Sequence, residues 1–270
     1  MNNDLIDEQT GFTMPSAKEF DIKKLFSLDE RTTLITGAAQ GIGRVAAIAC
    51  GKAGSKIAIT DKDINSAKLL EKELNEANIK AKAWELDVNY EKDIIKVFND
   101  VEKEFGTTDV LINNAGTAHR NPAELMKTEE FNKIINLNLT SAFICCRTVA
   151  KGMLEKNKGS IINISSIMGV TGGGPAPNSP YHASKGALVN LTRSLANEWG
   201  DRGIRVNSIG PTYTKTRLVK ELSKDKAKLD HIIQRTPLKR LAEVSEMAGG
   251  ILFLASDASS IVTGHTLMLD

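Results

Sequence analysis

Short apolar segments alternate with longer amphipathic segments from Thr32 to the end of the chain. The apolar segments are about five residues long, which predicts buried strands at 32–36, 56–60, 81–86, 109–113, 160–165, 204–209 and 265–269. Amphipathic spacing predicts helices at 43–54, 64–78, 91–105, 128–156, 181–200 and 243–255. Strands that alternate with helices favour parallel pairing. The pattern therefore predicts a doubly wound α/β fold, with a mostly parallel seven-stranded sheet and helices on both faces.

The first part of the chain does not follow this rhythm. Residues 1–28 are predicted to form an N-terminal extension anchored by Phe26 and Leu28, with its first dozen residues mobile. Residues 29–270 are predicted to form a single domain. Within that domain, glycine and proline at 171–180 predict a loop over the site, and a polar, Lys-rich stretch covers 214–235.

The N-terminal segment, the apolar runs and the cysteines of the chain indicate its cellular compartment. The N-terminal segment is polar and acidic, without the basic and apolar regions of a secretory signal. No apolar run approaches the roughly 18–20 residues that span a bilayer. The three cysteines show no metal-ligand spacing, and their odd number argues against a disulfide framework. These features predict a cytoplasmic protein without a membrane partner or a bound metal.

Charge and aromatic content narrow the range of partners. The 35 basic and 33 acidic residues leave a net charge of +2. Nucleic-acid-binding proteins concentrate basic charge, so no nucleic-acid partner is expected and a small-molecule substrate is favoured. An aromatic content of 5% disfavours a bulky steroid or polyaromatic pocket.

A glycine-rich turn joins the first strand of the sheet to the helix that follows. The turn reads Gly37-Ala38-Ala39-Gln40-Gly41-Ile42-Gly43. Glycines at these positions allow a tight turn, a close approach to a pyrophosphate and close helix–strand packing, while the helix N-terminus attracts phosphate. A glycine-rich turn without a ligand is the alternative. Because a strand precedes it and a helix follows it, we expect a dinucleotide site.

An acidic residue follows the second strand of the predicted sheet. Asp61 lies 20 residues after Gly41 (61 − 41 = 20), where a carboxylate can accept both ribose hydroxyl protons of NAD and repel the 2′-phosphate of NADP. Gln40 is neutral where an NADP enzyme would place a base. Lys62 and Arg44 leave the preference open, and Asp61 could instead be an ordinary acid at a helix N-terminus. NAD is the expected cofactor, with NADP the less favoured one.

Two residues of one predicted helix have the spacing of an acid–base pair. Tyr181 and Lys185 are four residues apart and therefore share a helix face. A tyrosine titrates near pH 10, and a neighbouring ammonium group is expected to lower its pKa. Tyr181 can then exchange a proton with a carbinol oxygen during hydride transfer. Ser166 ends a strand at the same sheet edge, where its hydroxyl can orient the substrate oxygen.

These motifs together resemble the short-chain dehydrogenase/reductase superfamily. The resemblance rests on Thr36-Gly37-x-x-x-Gly41-Ile42-Gly43, on Asn113-Asn114-Ala115-Gly116 and on the order of Ser166, Tyr181 and Lys185. It covers about residues 26–270. It implies a Rossmann-type fold and an NAD(P)-dependent enzyme that interconverts a secondary alcohol and a ketone. It also implies a homotetramer assembled through helices 128–156 and 181–200 and the last strand.

The resemblance assigns further roles that spacing alone does not. Asn138 would be the fourth catalytic residue and would fix a water that relays protons through Lys185. The residues after it favour Asn138 over Asn136, and Ser165 is the neighbouring alternative to Ser166. The implied cofactor contacts beyond the turn and Asp61 are Asp87, Val88, Asn114, Ala115, Gly116, Tyr181, Lys185, Pro211, Thr214 and Thr216.

Two positions depart from the family pattern. Ser166 and Tyr181 are 15 residues apart (181 − 166 = 15), two more than usual, and the extra residues fall in the glycine- and proline-rich stretch. Thr212 replaces the glycine that usually follows Pro211, at the start of the loop beside the nicotinamide.

Within the superfamily, the chain most resembles the gluconate 5-dehydrogenase branch, whose substrates are sugar acids and polyols. The segments 119–124 and 235–240, which read HRNPAE and RTPLKR, carry this resemblance. Arg120 follows the fourth strand, so its guanidinium could hold a substrate carboxylate, although a solvated loop arginine is the alternative. The expected substrate contacts are therefore Arg120, Ser166 and Tyr181.

Two other functions fit parts of this pattern. A 3-oxoacyl carrier-protein reductase of the same superfamily would use NADPH and would need a basic surface patch to bind the acidic carrier protein. Asp61 argues against the use of NADPH. A nucleotide-sensing or scaffold protein could share the fold without catalysis. A binding protein has no use for a complete set of Ser166, Tyr181, Lys185 and Asn138, so an enzyme is favoured.

Overall fold

The computed structural model describes residues 5–6, 10 and 13–270. Its strands are β1 (Leu5–Ile6), β2 (Thr13–Met14), β3 (Thr32–Thr36), β4 (Lys56–Asp61), β5 (Ala81–Glu85), β6 (Val110–Asn113), β7 (Gly159–Ile164), β8 (Ile204–Pro211) and β9 (Thr266–Leu269). β1 and β2 form a small antiparallel pair of their own. The strands β3 to β9 form the main sheet, at positions close to those that the apolar segments predict.

The main sheet is parallel throughout, and its strands are arranged in the order β5-β4-β3-β6-β7-β8-β9. The chain enters at β3, moves outward through β4 and β5, and returns to the other side of β3 with β6. The order therefore reverses between β3 and β6. Ligands of such sheets bind outside the carboxyl ends of the strands at this reversal, so the topology places a site there.

Helices cover both faces of the sheet. They are α1 (Ile22–Phe26), α2 (Gly41–Lys52), α3 (Ile64–Glu76), α4 (Glu91–Phe105), α5 (Thr128–Ile135), α6 (Ser141–Lys156), α7 (Ser179–Trp199), α8 (Arg217–Ser223), α9 (Lys226–Arg235) and α10 (Met247–Ala255). Alternating strand residues separate two apolar cores. Ile35 packs on the side of α2, α3 and α10, and Leu34 packs on the side of α4, α6 and α7. The predicted fold class is confirmed.

Several boundaries differ from the prediction for physical reasons. The predicted helix at 128–156 is continuous but contains a π-helical segment, Asn136–Thr140, between α5 and α6. Such a segment widens one turn of a helix and is frequent at functional sites. The polar stretch at 214–235 contains the two helices α8 and α9, and three of its apolar residues, Val219, Leu222 and Ile232, are buried and anchor these helices.

The N-terminal extension meets the domain through Leu28, which is fully buried, while Phe26 is half-buried. The predicted mobility of the first dozen residues concerns positions that lie mostly outside the described residues. The division into an extension and one domain stays a prediction. Among the residues described, no helix is both long enough and apolar enough to cross a bilayer.

Candidate active site

One cavity of about 690 Å³ lies at the carboxyl ends of the strands, on both sides of the reversal between β3 and β6. Of the residues that the sequence predicts to bind cofactor or substrate, all except Gly43 line this cavity. Of the four predicted catalytic residues, Ser166, Tyr181 and Lys185 line it and Asn138 lies behind its wall. The fold thus brings together residues that are up to 180 positions apart in the sequence.

The glycine turn has backbone conformations and contacts that a larger residue would disturb. Gly37 and Gly41 have φ angles of +62° and +56°, which favour glycine. A Cβ at Gly43 would lie 2.4 Å from the Gly37 carbonyl oxygen and 2.6 Å from Asn114 Nδ2, so helix α2 could not approach β3 as it does. The side chain of Gln40, the N-cap residue, makes no hydrogen bond to the first turn of α2. The turn therefore fits a pyrophosphate bound by backbone N–H groups.

The end of β6 is fastened to this turn. Asn114 Nδ2 donates to the carbonyl oxygens of Thr36 and Gly37, at 3.1 and 2.8 Å. The backbone N–H groups of Asn114 and Ala115 both donate to Thr36 Oγ1, at 3.1 Å. These bonds fix the distance between β3 and β6 at the point where the strand order reverses, and they hold Gly116 in the cavity wall.

Asp61 ends β4 with its carboxylate at the cavity and is only 8% exposed. Its two oxygens accept hydrogen bonds from the backbone N–H groups of Ala39 and Asp63, both at 3.0 Å. Arg44 is directed away by an ion pair with Glu73 at 2.5 Å. The carboxylate is therefore held in place without a basic partner. Further along the same wall lie the predicted adenine contacts, Asp87 and Val88.

Tyr181 and Ser166 meet at the centre of the cavity. Tyr181 lies in the first turn of α7, and Ser166 follows the end of β7. Ser166 Oγ accepts a hydrogen bond from Met168 N–H at 3.1 Å, and its hydroxyl interacts with the Tyr181 phenol and lowers the pKa of that phenol. The neighbouring Ser165 instead donates to the Lys185 carbonyl oxygen at 3.1 Å. The structure therefore places Ser166, and not Ser165, against the tyrosine.

The expected lowering of the tyrosine pKa is wrong for this structure. Burial raises the pKa of Tyr181 above its ordinary value of 10.0, and the Ser166 hydrogen bond and the Arg120 charge oppose this only in part. Lys185 Nζ is buried and donates to the Ile164 carbonyl oxygen at 2.6 Å. Burial lowers the pKa of Lys185 from 10.5 to about 8. Desolvation is thus the dominant cause for both groups, and the charge of Lys185 is not among the causes that lower the Tyr181 pKa.

Asn138 lies in the π-helical segment and is almost completely buried. Its Oδ1 accepts from Thr117 N–H at 2.9 Å, and its Nδ2 donates to the Thr117 carbonyl oxygen and to Ser184 Oγ, at 2.9 and 3.0 Å. These bonds connect the chain after β6 to helix α7. Both Nδ2 hydrogens are occupied, so Asn138 supports the wall beside Lys185. Asn136 is partly exposed and does not line the cavity.

The segment after β8 closes the cavity on the side opposite Asp61. Pro211, Thr214 and Thr216 all line it, as predicted. Thr214 Oγ1 donates to the Thr212 carbonyl oxygen at 3.0 Å, and the Thr216 N–H donates to the Thr214 carbonyl oxygen at 2.6 Å. A Cβ on Gly41 would lie 3.6 Å from Thr216 Cγ2. The segment therefore reaches across to the glycine turn, with Thr212 taking the place of the usual glycine.

Arg120 and a second tyrosine complete the substrate side. Arg120 lines the cavity and donates to the Leu218 carbonyl oxygen at 3.4 Å, and its charge acts on both Tyr181 and Tyr213. Sequence reasoning missed Tyr213 because it considered only the backbone of the loop from Pro211 to Thr216. A tyrosine two residues after a strand end at the ligand-binding edge was the signal. His182 also lines the cavity, and its Nδ1 lies 2.8 Å from the Asn178 carbonyl oxygen.

Comparisons with known proteins agree with this geometry. A family model described as enoyl-(acyl carrier protein) reductase matches residues 37–270. The 5-keto-D-gluconate 5-reductase of Escherichia coli K12 is 38% identical over 246 residues, which cover 91% of this chain and 96% of that protein. The 3-oxoacyl-(acyl-carrier-protein) reductase of the same organism is 36% identical over 241 residues, covering 89% and 96%. In both, the match includes nearly the whole protein.

A solved structure is also similar. The crystal structure of a gluconate 5-dehydrogenase from Burkholderia cenocepacia J2315, in complex with NADP and tartrate, has a TM-score of 0.89 and 33% identity, and covers 93% of this chain and 97% of that one. With the parallel sheet, the glycine turn and the cavity around Tyr181, these matches show that the chain belongs to the short-chain dehydrogenase/reductase family. It is an NAD(P)-dependent oxidoreductase that interconverts CH–OH and carbonyl groups.

Proposed function

We propose that this enzyme oxidises a sugar acid or polyol to the corresponding ketone and reduces the ketone in the reverse direction. The observation that carries the proposal is the position of Arg120, whose charge acts on Tyr181 in the same cavity. A guanidinium there can bind a substrate carboxylate through two parallel hydrogen bonds. The names of similar proteins, 5-keto-D-gluconate 5-reductase and gluconate 5-dehydrogenase, support a sugar-acid substrate.

In this proposal, Tyr181 moves the proton. Its raised pKa keeps the phenol protonated at neutral pH, so it can donate a proton to the carbonyl oxygen of a ketone. In the oxidative direction, Tyr181 must first lose its own proton, and the resulting phenolate then accepts the proton of the carbinol hydroxyl, so the raised pKa makes oxidation faster at high pH. Ser166 hydrogen-bonds the same substrate oxygen and orients it, Lys185 lines the cavity beside the tyrosine and exchanges protons with it, and Asn138 holds the wall beside Lys185.

The nicotinamide cofactor supplies the acceptor or donor of hydride when it is bound. The glycine turn and α2 would hold the pyrophosphate of the cofactor. Asp61 would bind its adenosine ribose, and Asp87 and Val88 would contact its adenine. The segment 211–216 would lie against its nicotinamide. We infer a preference for NAD, because the Asp61 carboxylate would repel a 2′-phosphate and Arg44 is paired with Glu73. Lys62, which follows Asp61 and also lines the cavity, is a basic side chain that would oppose this preference.

Replacement of Asp61 by asparagine tests the cofactor preference. The amide keeps an acceptor for the turn but removes the charge, so the ratio of kcat/KM with NAD to kcat/KM with NADP is expected to fall at least about tenfold, since juxtaposed like charges cost several kcal/mol. Asp63→Asn is the matched control, because Asp63 caps α3 and does not line the cavity. An unchanged ratio in Asp61→Asn, or higher activity with NADP in the wild type, would refute the preference.

We also infer a homotetramer. The predicted interface helix 128–156 contains α6, which leaves Phe143 more than a third exposed, and the adjacent α4 leaves Ile95 exposed to a similar degree, with Tyr90 exposed just before it. Exposed apolar side chains on adjacent helices favour burial against another subunit. Light scattering is expected to give about four times the chain mass of 29.3 kDa, and Phe143→Glu to lower it. A wild-type mass of one chain would contradict the inference.

The three free, buried cysteines support a reducing compartment such as the cytoplasm.

The second candidate is a 3-oxoacyl carrier-protein reductase, which the 36% identity to such an enzyme favours. Steady-state rates with gluconate, 2-deoxygluconate and sorbitol, followed by the absorbance of reduced nicotinamide, test the main proposal. Turnover of the acids above that of sorbitol, with the preference lost in Arg120→Gln, is the expected result. Equal rates for gluconate and sorbitol would remove the role of Arg120, and no turnover of any of the three would overturn the proposed substrate class.

A further inference from the structure

A second cavity of about 360 Å³ adjoins the first. The two share the wall residues Ile167, Met168, Gly174, Thr212 and Tyr213. Thr171 and Gly173 add to its wall, so the segment that is two residues longer than the family pattern borders this cavity. The far side is formed by the end of α9 and the residues after it. A substrate bound at Tyr181 could therefore extend past Tyr213 into a second space.

Arg235 is the cationic group of this second cavity that has no acidic partner. Within residues 13–270, it makes no hydrogen bond and no ion pair, whereas Arg240, five residues later, binds both oxygens of Glu246 at 2.6 Å. A Cβ on Gly173 would lie 3.7 Å from Arg235 Nη1, so the guanidinium lies against the longer loop. An unpaired guanidinium at the wall of a cavity is suited to bind a carboxylate or a phosphate.

Tyr213 connects this guanidinium to the reaction centre. Arg120 and Arg235 both act electrostatically on the Tyr213 phenol, as does Tyr181. Burial raises the pKa of Tyr213 to about 12, so the hydroxyl remains a hydrogen-bond donor at neutral pH. A substrate chain that crosses from one cavity to the other would pass this donor, with one arginine on each side.

Other polar groups of the second cavity modify its charge. Asp270 lines the wall, and its carboxylate opposes the binding of an anion. Asp270 is not among the charges that act on Tyr213, and it makes no ion pair with Arg235 among the described residues. His231 Nε2 is buried there without a hydrogen-bond partner in the described part of the chain. The Arg235 guanidinium thus has no ion-pair partner among residues 13–270, although Asp270 lines the same cavity.

We propose that the second cavity binds a second anionic group of the substrate through Arg235, while Arg120 holds the carboxylate near Tyr181. The preferred substrates would then be sugar acids with a carboxylate or a phosphate at the far end as well. This inference rests on the proposed function, because it concerns the same reaction at Tyr181. Arg235 would let the enzyme distinguish acids with a second anionic group from acids with one carboxylate, which Arg120 alone cannot do.

Titration of the wild-type enzyme–NADH complex with gluconate, glucarate and 6-phosphogluconate tests the inference. At least one of the two compounds with a second anionic group is expected to bind about tenfold tighter than gluconate, since hydrogen bonds to charged groups are the stronger ones. Glucarate carries a second carboxylate and 6-phosphogluconate carries a phosphate, so the two compounds show which anionic group the second cavity binds. Equal affinity for all three compounds would overturn the proposal even where gluconate is turned over.

Variants of the second cavity sharpen the test. Arg235→Gln is expected to abolish the tenfold preference without changing the affinity for gluconate, and Asp270→Asn to increase the preference. Lys228→Gln is the matched control on the same helix, because Lys228 pairs with Asp225 and lies outside both cavities. A preference that survives in Arg235→Gln overturns the assignment of Arg235. Failure of the wild type to bind gluconate at all would overturn the proposed function as well.

Discussion

Tyr181→Phe is expected to lower kcat for sugar-acid oxidation by about 10²- to 10⁴-fold, the range that a positioned acid–base group contributes. The phenol interacts with the Ser166 hydroxyl in the cavity, and phenylalanine keeps the ring while removing only the oxygen. The affinity for NAD is expected to change little, because the glycine turn and Asp61 lie elsewhere in the cavity. Steady-state kinetics and cofactor titration measure the two quantities separately.

Tyr213→Phe is the matched control for this variant. It removes the same atom from a second tyrosine in the same cavity, so a change in KM with a much smaller change in kcat is expected. If Tyr181→Phe retained more than about a tenth of the wild-type kcat, or if Tyr213→Phe lost more activity than Tyr181→Phe, the assignment of Tyr181 as the acid–base group would be wrong.

Lys185→Met is expected to inactivate the enzyme and to stabilise its fold at neutral pH. Burial lowers the pKa of Lys185 from 10.5 to about 8, so keeping the buried ammonium costs the folded state up to about 3 kcal/mol at pH 7. Loss of the hydrogen bond to the Ile164 carbonyl oxygen offsets roughly 1 kcal/mol of this. A net gain of about 2 kcal/mol in the free energy of unfolding is expected, with a large loss of kcat.

The pH dependence of this gain distinguishes desolvation from better packing. The folded-state pKa is lower than the unfolded one, so between about pH 8 and pH 10.5 the unfolded wild type binds more protons than the folded protein. Wild-type stability therefore rises with pH across this window, and the advantage of Lys185→Met shrinks. Denaturant unfolding at pH 7 and pH 10 measures the difference. A variant that is less stable than the wild type at pH 7 would contradict the account.

The sequence predicts the sheet well because its strands are buried on both faces. Successive residues such as Leu34 and Ile35 are buried in the cores on opposite faces of the sheet. The strands therefore appear in the sequence as short continuous apolar runs, which are typical of buried parallel strands. The glycine turn and Asp61 are predictable for a similar reason. The glycine turn depends on a local backbone requirement, and Asp61 depends on a fixed distance along one strand–helix–strand unit.

Other features depend on contacts between distant segments, which no local pattern reveals. Tyr213 faces Arg120 and Arg235 only after α8 and α9 have folded across the cavity. The raised pKa of Tyr181 depends on burial by several segments, whereas the sequence shows only its neighbour Lys185. Asn138, in the π-helical turn, is bonded to Thr117 and Ser184, 21 and 46 residues away.

This cavity is expected to oxidise sugar acids or polyols with a nicotinamide cofactor, and parallel rates with two substrates test this function. The wild-type enzyme is given gluconate with NAD, and in parallel an acetoacetyl thioester with NADPH, and kcat/KM is measured from the absorbance of reduced nicotinamide. Turnover of gluconate is expected, with a product that carries a new ketone and forms in equal amount to NADH. Turnover of the thioester with NADPH alone, without oxidation of gluconate, would contradict it and favour the carrier-protein reductase.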